Sequence, residues 1–213
     1  GLPVDMPSVQ QICSEAHIHI IEDCSHAYGA KIGEKLVGTF GDIACFSMQA
    51  NKTVYAGEGG MLVTSSREFY ERAVVFSASA DRVLDCVRGI EYLKYWATGL
   101  GAKLKMNPIG APLALNSLSS LEDVSRRREL RARIIDDAIR DCPIFFVVNE
   151  RTDQYQRVYY THKLVLADDY VEYRDLVLQM LIQRGLDAAI TSFVPLYEHE
   201  LSSDPRVENA KLC

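Results

Sequence analysis

Three groups of side chains could do chemistry by their type and spacing. The first is Glu22-Asp23-Cys24-Ser25-His26-Ala27, which follows the apolar run Ile18-His19-Ile20-Ile21. Such a run reads as a short buried parallel strand, and in open α/β sheets ligands bind beyond the carboxyl ends of strands. A carboxylate placed there is costly unless a positive group meets it. The second is Phe46-Ser47-Met48-Gln49-Ala50-Asn51-Lys52. A serine at a strand end can donate to a phosphate oxygen. A loop lysine five residues on can attack an aldehyde carbon where desolvation or nearby cationic or aromatic groups favour the free amine. The third is Gly57-Glu58-Gly59-Gly60, a stretch whose backbone can pass close to a ligand or another chain. No Gly-Lys-Ser/Thr follows, so it is not a P-loop. Taken singly, Asp23 also reads as a cap on the next turn, and Lys52 as a solvated loop residue.

These groups need a scaffold. Pro7 to Ala16 reads as a short helix with Val9, Ile12, Cys13 and Ala16 at helical spacing. Ala30 to Phe40 reads as a turn-rich hairpin. Ile43 to Met48 and Met61 to Thr64 read as strands, and Ser66 as the N-cap of a helix reaching about Phe76. Residues 77 to 107 show no clear period. Pro108 to about Cys142 reads as long and helical, with Leu130, Ile134 and Ala138 on one face. Its Arg126, Arg127, Arg128, Arg131 and Arg133 read as a solvated face offset by Glu122, Asp123 and Glu129. Two strands, Ile144 to Val148 and Thr161 to Leu166, and a helix ending at Gly185 follow. The pattern predicts an α/β fold over residues 1–125. Part of a smaller α+β domain is expected over residues 126–213.

Composition excludes several classes. The chain has 213 residues, a formal net charge of -6 and 24% charged residues, which disfavours a nucleic-acid partner. No apolar run approaches a membrane span, and no signal peptide is visible. The six cysteines form no CxxC pair or Cys/His cluster at metal spacing, so no metal is expected and a reducing cytoplasm is.

The order of the motifs carries a resemblance. Ile20-Ile21-Glu22-Asp23-Cys24-Ser25-His26-Ala27-Tyr28-Gly29-Ala30 is followed by Gly38-Thr39-Phe40-Gly41-Asp42-Ile43. Then come Cys45-Phe46-Ser47, Lys52 and Gly57-Glu58-Gly59-Gly60-Met61-Leu62-Val63-Thr64. The series resembles the DegT/StrS-type aminotransferases, a family of fold-type-I enzymes dependent on pyridoxal 5'-phosphate (PLP), which implies that residues 1–125 are part of a large domain with a mixed sheet and helices on both faces. The match is dense over residues 18 to 65 and looser beyond.

The resemblance implies roles by position. Lys52 is the lysine that holds PLP and moves protons, and Asp23 partners the ring nitrogen. His26 lies beside the ring hydroxyl, and Ser47 contacts the phosphate. The segment Gly99 to Pro108 is similar to a loop that reaches a neighbouring subunit, so Lys103 is expected to touch the partner's phosphate in a homodimer. Leu104-Lys105 departs from the family's Tyr-Arg at that point. Tyr160-Thr161-His162 resembles a strand entry near the substrate, which gives His162 a substrate role beside the plain reading of a core or surface histidine. The implied reaction moves an amino group from glutamate or glutamine to a keto-sugar nucleotide or ketocyclitol. The alternatives are a PLP-dependent sugar dehydratase and a non-catalytic PLP-binding relative. Dehydrating members carry His in place of the lysine, which sets Lys52 against the first. A Gly-Thr/Ser-Ala turn expected upstream is absent from these residues, so the chain is expected to be a fragment lacking the N-terminal segment.

Overall fold

The computed structural model describes residues 1–100, 102–146 and 154–190. It divides into two compact units. The first holds residues 1–142 and 147–165, the second residues 143–146 and 166–213.

The first unit opens with helix α1 (Met6–Glu15), whose start is fixed by Asp5, the acceptor for Ser8 N–H. Strand β1 (Ile21–Asp23) lies parallel to β4 (Ile43–Ser47), with Asp23 opposite Cys45. β5 (Gly60–Val63) runs antiparallel to β4. The sheet order β1-β4-β5 is therefore mixed, and with its helices the unit has the expected α/β class. A hairpin of β2 (Lys31–Ile32) and β3 (Lys35–Leu36) forms a separate sheet. β7 (Tyr155–Gln156) adds to β2, a pairing no local pattern announces.

The first strand starts later than its apolar run predicts. Ile18 and Ile21 are 60% and 65% exposed. The inward residue is Glu22, 6% exposed, because side chains alternate along a strand and Glu22 faces the core. Its carboxylate earns that position by accepting from the N–H groups of Gly38, Phe40 and Gly41 at 2.7, 2.7 and 2.6 Å. A buried carboxylate needs such partners. Gly38 has φ +91°, and a Cβ there would lie 2.6 Å from Phe46.

Helix α2 (Arg67–Ser77) begins at Ser66, whose hydroxyl accepts from Phe69 N–H. The stretch after it contains two short helices, α3 (Asp81–Cys86) and α4 (Ile90–Leu93). They pack through Val83 and Val87 onto Val74 and Val75. The predicted long helix is two: α5 (Gly110–Ser119) and α6 (Leu121–Ile139). At the junction Ser120 bonds back to the Asn116 and Ser117 carbonyls.

In the second unit, β6 (Phe145–Phe146) covers the described part of the first late strand, since residues 147 and 148 lie outside the described residues. A 3-10 turn (Asp168–Tyr173) leads into α7 (Arg174–Gln183), which ends at Gly185 with φ +87°. β8 (Val165–Leu166) is the short remnant of the strand expected over 161–166.

Cys13, Cys24, Cys45, Cys86 and Cys142 are free. Burial pushes the Cys24 thiol up to about 12, which makes it an inert apolar side chain.

Candidate functional site

The site is built on one loop. Met48, Val54 and Ala56 are buried together with Tyr28 and Ala114, so both ends of the segment 48–56 are anchored in the core. Met48 N–H donates to the Gly59 carbonyl at 2.9 Å, and Ala56 N–H to the Met48 carbonyl at 2.7 Å. Ser117 on α5 holds Tyr55 through its hydroxyl. Lys52 sits at the loop's apex, half-buried, its own N–H bonded to the Gln49 carbonyl.

The Lys52 amine lies 2.7 Å from Nε2 of His26. It also sits 4.7 Å from the centre of the Tyr160 ring, a cation–π distance. The Tyr160 ring stacks on the imidazole at 4.1 Å, with only 6° between their planes. Desolvation, and then the Lys52 charge, lower the His26 pKa. The imidazole is therefore neutral at neutral pH. With Lys52 as the ammonium, Nζ donates and Nε2 accepts, which places the imidazole proton on Nδ1.

Asp23 ends β1 on the same side. Its Oδ1 accepts from Ser25 N–H at 3.0 Å and from the Ser25 hydroxyl at 2.5 Å. The Ser25 hydroxyl is the largest cause holding Asp23 below its ordinary pKa, and the His26 and Lys52 charges add to it. Asp23 is exposed, so the buried carboxylate of the acidic pair is Glu22. Ser47 is half-buried at the end of β4, where its carbonyl accepts from the Tyr28 hydroxyl at 3.0 Å. The structure thus brings Asp23, His26 and Lys52 into one electrostatic group, with Ser47 at the adjoining strand end.

Two predicted residues sit elsewhere. Lys103 is exposed in the irregular segment 102–107. His162 lies against α6, its Nε2 3.0 Å from Asp136 Oδ1, and both are largely buried. It lines a cleft of about 210 Å³ together with Arg128, Arg131, Tyr159 and Tyr160.

The sequence reading missed two contributors. One is Tyr160, which appeared only as a neighbour of His162. The other is Arg128, read as part of a solvated helix face. It is half-buried and reaches the site loop, donating to the Thr53 hydroxyl at 3.0 Å. The signal available for both was slight: an aromatic and an arginine far along the chain from Lys52.

Among the described residues, no group of three or more His, Cys, Asp or Glu is placed to hold a metal ion. Among them, too, no helix is long and apolar enough to cross a membrane.

The fold belongs to aminotransferases. The structure superposes on PseC of Helicobacter pylori, an aminotransferase involved in the biosynthesis of pseudoaminic acid, with a TM-score of 0.80 at 24% identity. That match covers 94% of this chain and 52% of PseC. Residues 1–212 match the DegT/DnrJ/EryC1/StrS aminotransferase family, and the chain belongs to that family. It is 29% identical over 212 residues to GDP-perosamine synthase of Escherichia coli O157:H7, covering 98% of this chain and 55% of that enzyme. It is 28% identical over 137 residues to L-glutamine:2-deoxy-scyllo-inosose aminotransferase of Micromonospora echinospora, covering 63% of this chain and 33% of that enzyme. The chain spans about half the length of the curated relatives it matches.

Proposed function

We propose that the protein is a PLP-dependent aminotransferase that moves an amino group from glutamate or glutamine to a keto-sugar nucleotide or ketocyclitol. The observation that carries this is the Lys52 amine held 2.7 Å from a neutral imidazole, with the Asp23 carboxylate in the same electrostatic group.

The donor set fits the cofactor. Lys52 supplies the amine for an aldehyde, Asp23 an anion for a protonated ring nitrogen, and Ser47 a hydroxyl for a phosphate. When bound, PLP withdraws electrons from the carbon whose proton is being moved. Lys52 would take that proton and return it. His26 would accept the hydrogen bond of the Lys52 ammonium, and the Tyr160 ring stacks on the imidazole and holds its orientation. Ser25 keeps Asp23 ionised, so its charge is ready for the ring.

Sugar or cyclitol acceptors are supported by family membership and by the activities of the two curated relatives named above. The identity of the glutamine-dependent relative supports the donor. In this reading Lys103 serves a second subunit of a cytoplasmic homodimer, His162 lies toward the substrate, and residues 1–125 belong to the cofactor-binding domain.

The test is turnover by the full-length protein. With PLP, glutamate or glutamine, and a panel of keto-sugar nucleotides and ketocyclitols, one acceptor is expected to gain an amine, and Lys52→Ala to abolish this. Deoxysugar release without amine formation would point to dehydration instead. An unaltered rate in Lys52→Ala would refute the assignment.

A further inference from the structure

We propose that Arg128 is a positioning residue for Lys52, holding the lysine loop and the Tyr160 wall in one register. The proposal rests on the reading of Lys52 as the aldehyde-binding amine and adds the device that places it.

The argument starts from connectivity. Arg128 lies on α6, 75 residues from Thr53. Its Nη1 donates to the Thr53 hydroxyl at 3.0 Å, to the Tyr159 carbonyl at 3.1 Å and to the Tyr160 carbonyl at 3.4 Å. Thr53 is the residue after Lys52. Tyr160 carries the ring that stacks on His26 and stands 4.7 Å from the Lys52 amine. One guanidinium nitrogen therefore ties the backbone that bears the amine to the backbone that bears its aromatic wall.

Its neighbours on the helix do other work. Arg126 and Arg127 pair with Asp123, and Arg133 with Glu129, all within α6. These pairs lie one helical turn apart on largely solvated side chains, of the kind worth little to stability. Arg128 instead reaches two separate segments, and its hydrogen bonds go to groups that flank the amine. All three contacts leave one nitrogen that carries two N–H bonds, so at least one N–H is shared, and the shorter lysine side chain would reach these acceptors only in part.

The test compares Arg128→Met, Arg128→Lys and the control Arg127→Met in the full-length protein. Each is treated with pyridoxal 5'-phosphate, reduced with borohydride and digested, and the fraction of label on Lys52 is measured against all other lysines. Two-dimensional NMR follows the His26 ring protons, which the stacked Tyr160 ring shifts upfield. Arg128→Met is expected to cut the Lys52 share by about tenfold and to release the His26 shift. Arg128→Lys should recover part of both, and Arg127→Met should match the wild type. If Arg128→Met fails to fold, Arg128→Lys decides: an unchanged Lys52 share and His26 shift overturn the proposal. Wild-type label spread evenly over the lysines would overturn the Lys52 reading itself, and the positioning role with it. Lys52 labelled normally in both Arg128 variants removes the positioning role alone.

Discussion

His26 Nε2 lies 2.7 Å from the Lys52 amine while the Tyr160 ring stacks on the imidazole, so one histidine joins the lysine to an aromatic face. Partial desolvation and the Lys52 charge oppose protonation of the ring. Desolvation removes water from the imidazolium, and the Lys52 ammonium repels it.

The first prediction follows from that pairing. His26 should titrate below its ordinary value near 6.5, because its folded pKa is depressed. In Lys52→Met the repulsion is gone and the midpoint should rise, while partial desolvation keeps it from full recovery. Two-dimensional NMR of labelled histidine measures both midpoints. A midpoint unmoved by Lys52→Met would mean that the two groups do not face each other in solution.

The second prediction concerns Glu22. Its carboxylate gathers three backbone N–H groups from residues 38 to 41 and thereby fixes the loop after the hairpin. Glu22→Ala strands those donors in a buried site and should cost about 3 kcal/mol or more. Glu22→Gln keeps one acceptor oxygen but turns an NH2 toward donors, so it should also be strongly destabilising. Urea melts of both variants against the wild type check this. A loss below about 0.5 kcal/mol, the range of ordinary surface substitutions, would contradict the structure here.

The third prediction is a pH dependence. Glu71 is buried on α2, where it accepts from Gly89 N–H at 2.8 Å, Arg88 N–H at 3.0 Å and Arg67 Nε at 2.6 Å. The Gly89 N–H, the largest cause, and the other donors hold its pKa below the ordinary value near 4.5. The folded value lies below the unfolded one. Its stabilisation is therefore complete above the ordinary range and is lost as pH falls through the folded value. The stability gap between wild type and Glu71→Gln should be widest at neutral pH and narrow steadily in acid. Melts from pH 7 downward measure it, and a gap independent of pH would contradict the assignment.

The fourth prediction is steric. A Cβ on Gly59 would lie 2.6 Å from Met106 Sδ, next to the carbonyl that receives Met48 N–H. Gly59→Ala should therefore weaken the anchoring of the Lys52 loop. Met106→Ala in the same chain should recover part of the loss, since it removes the opposing sulfur. Thermal melts of the single and double variants show whether the two sites couple.

Local chemistry made much of this legible. Ser66 announced α2 by its cap, Gly185 the end of α7, and the motif order around Lys52 its place in a loop beyond a strand. What stayed hidden depends on distant partners. The apolar period runs straight through Ser120, yet its hydroxyl turns back on α5 and splits the helix. Glu22 and Asp23 are adjacent acids of the same charge, and only the fold decides that Glu22 is buried and Asp23 faces out. Arg128 sits in a run of arginines and is set apart only by what Thr53 and Tyr160 bring to it.

The most direct measurement uses the full-length protein incubated with pyridoxal 5'-phosphate, before and after borohydride. A visible absorption band that reduction removes, with the cofactor's mass recovered on the peptide containing Lys52, is the predicted result. Retention of the same band by Lys52→Ala, or recovery of the mass on another lysine, would contradict the account.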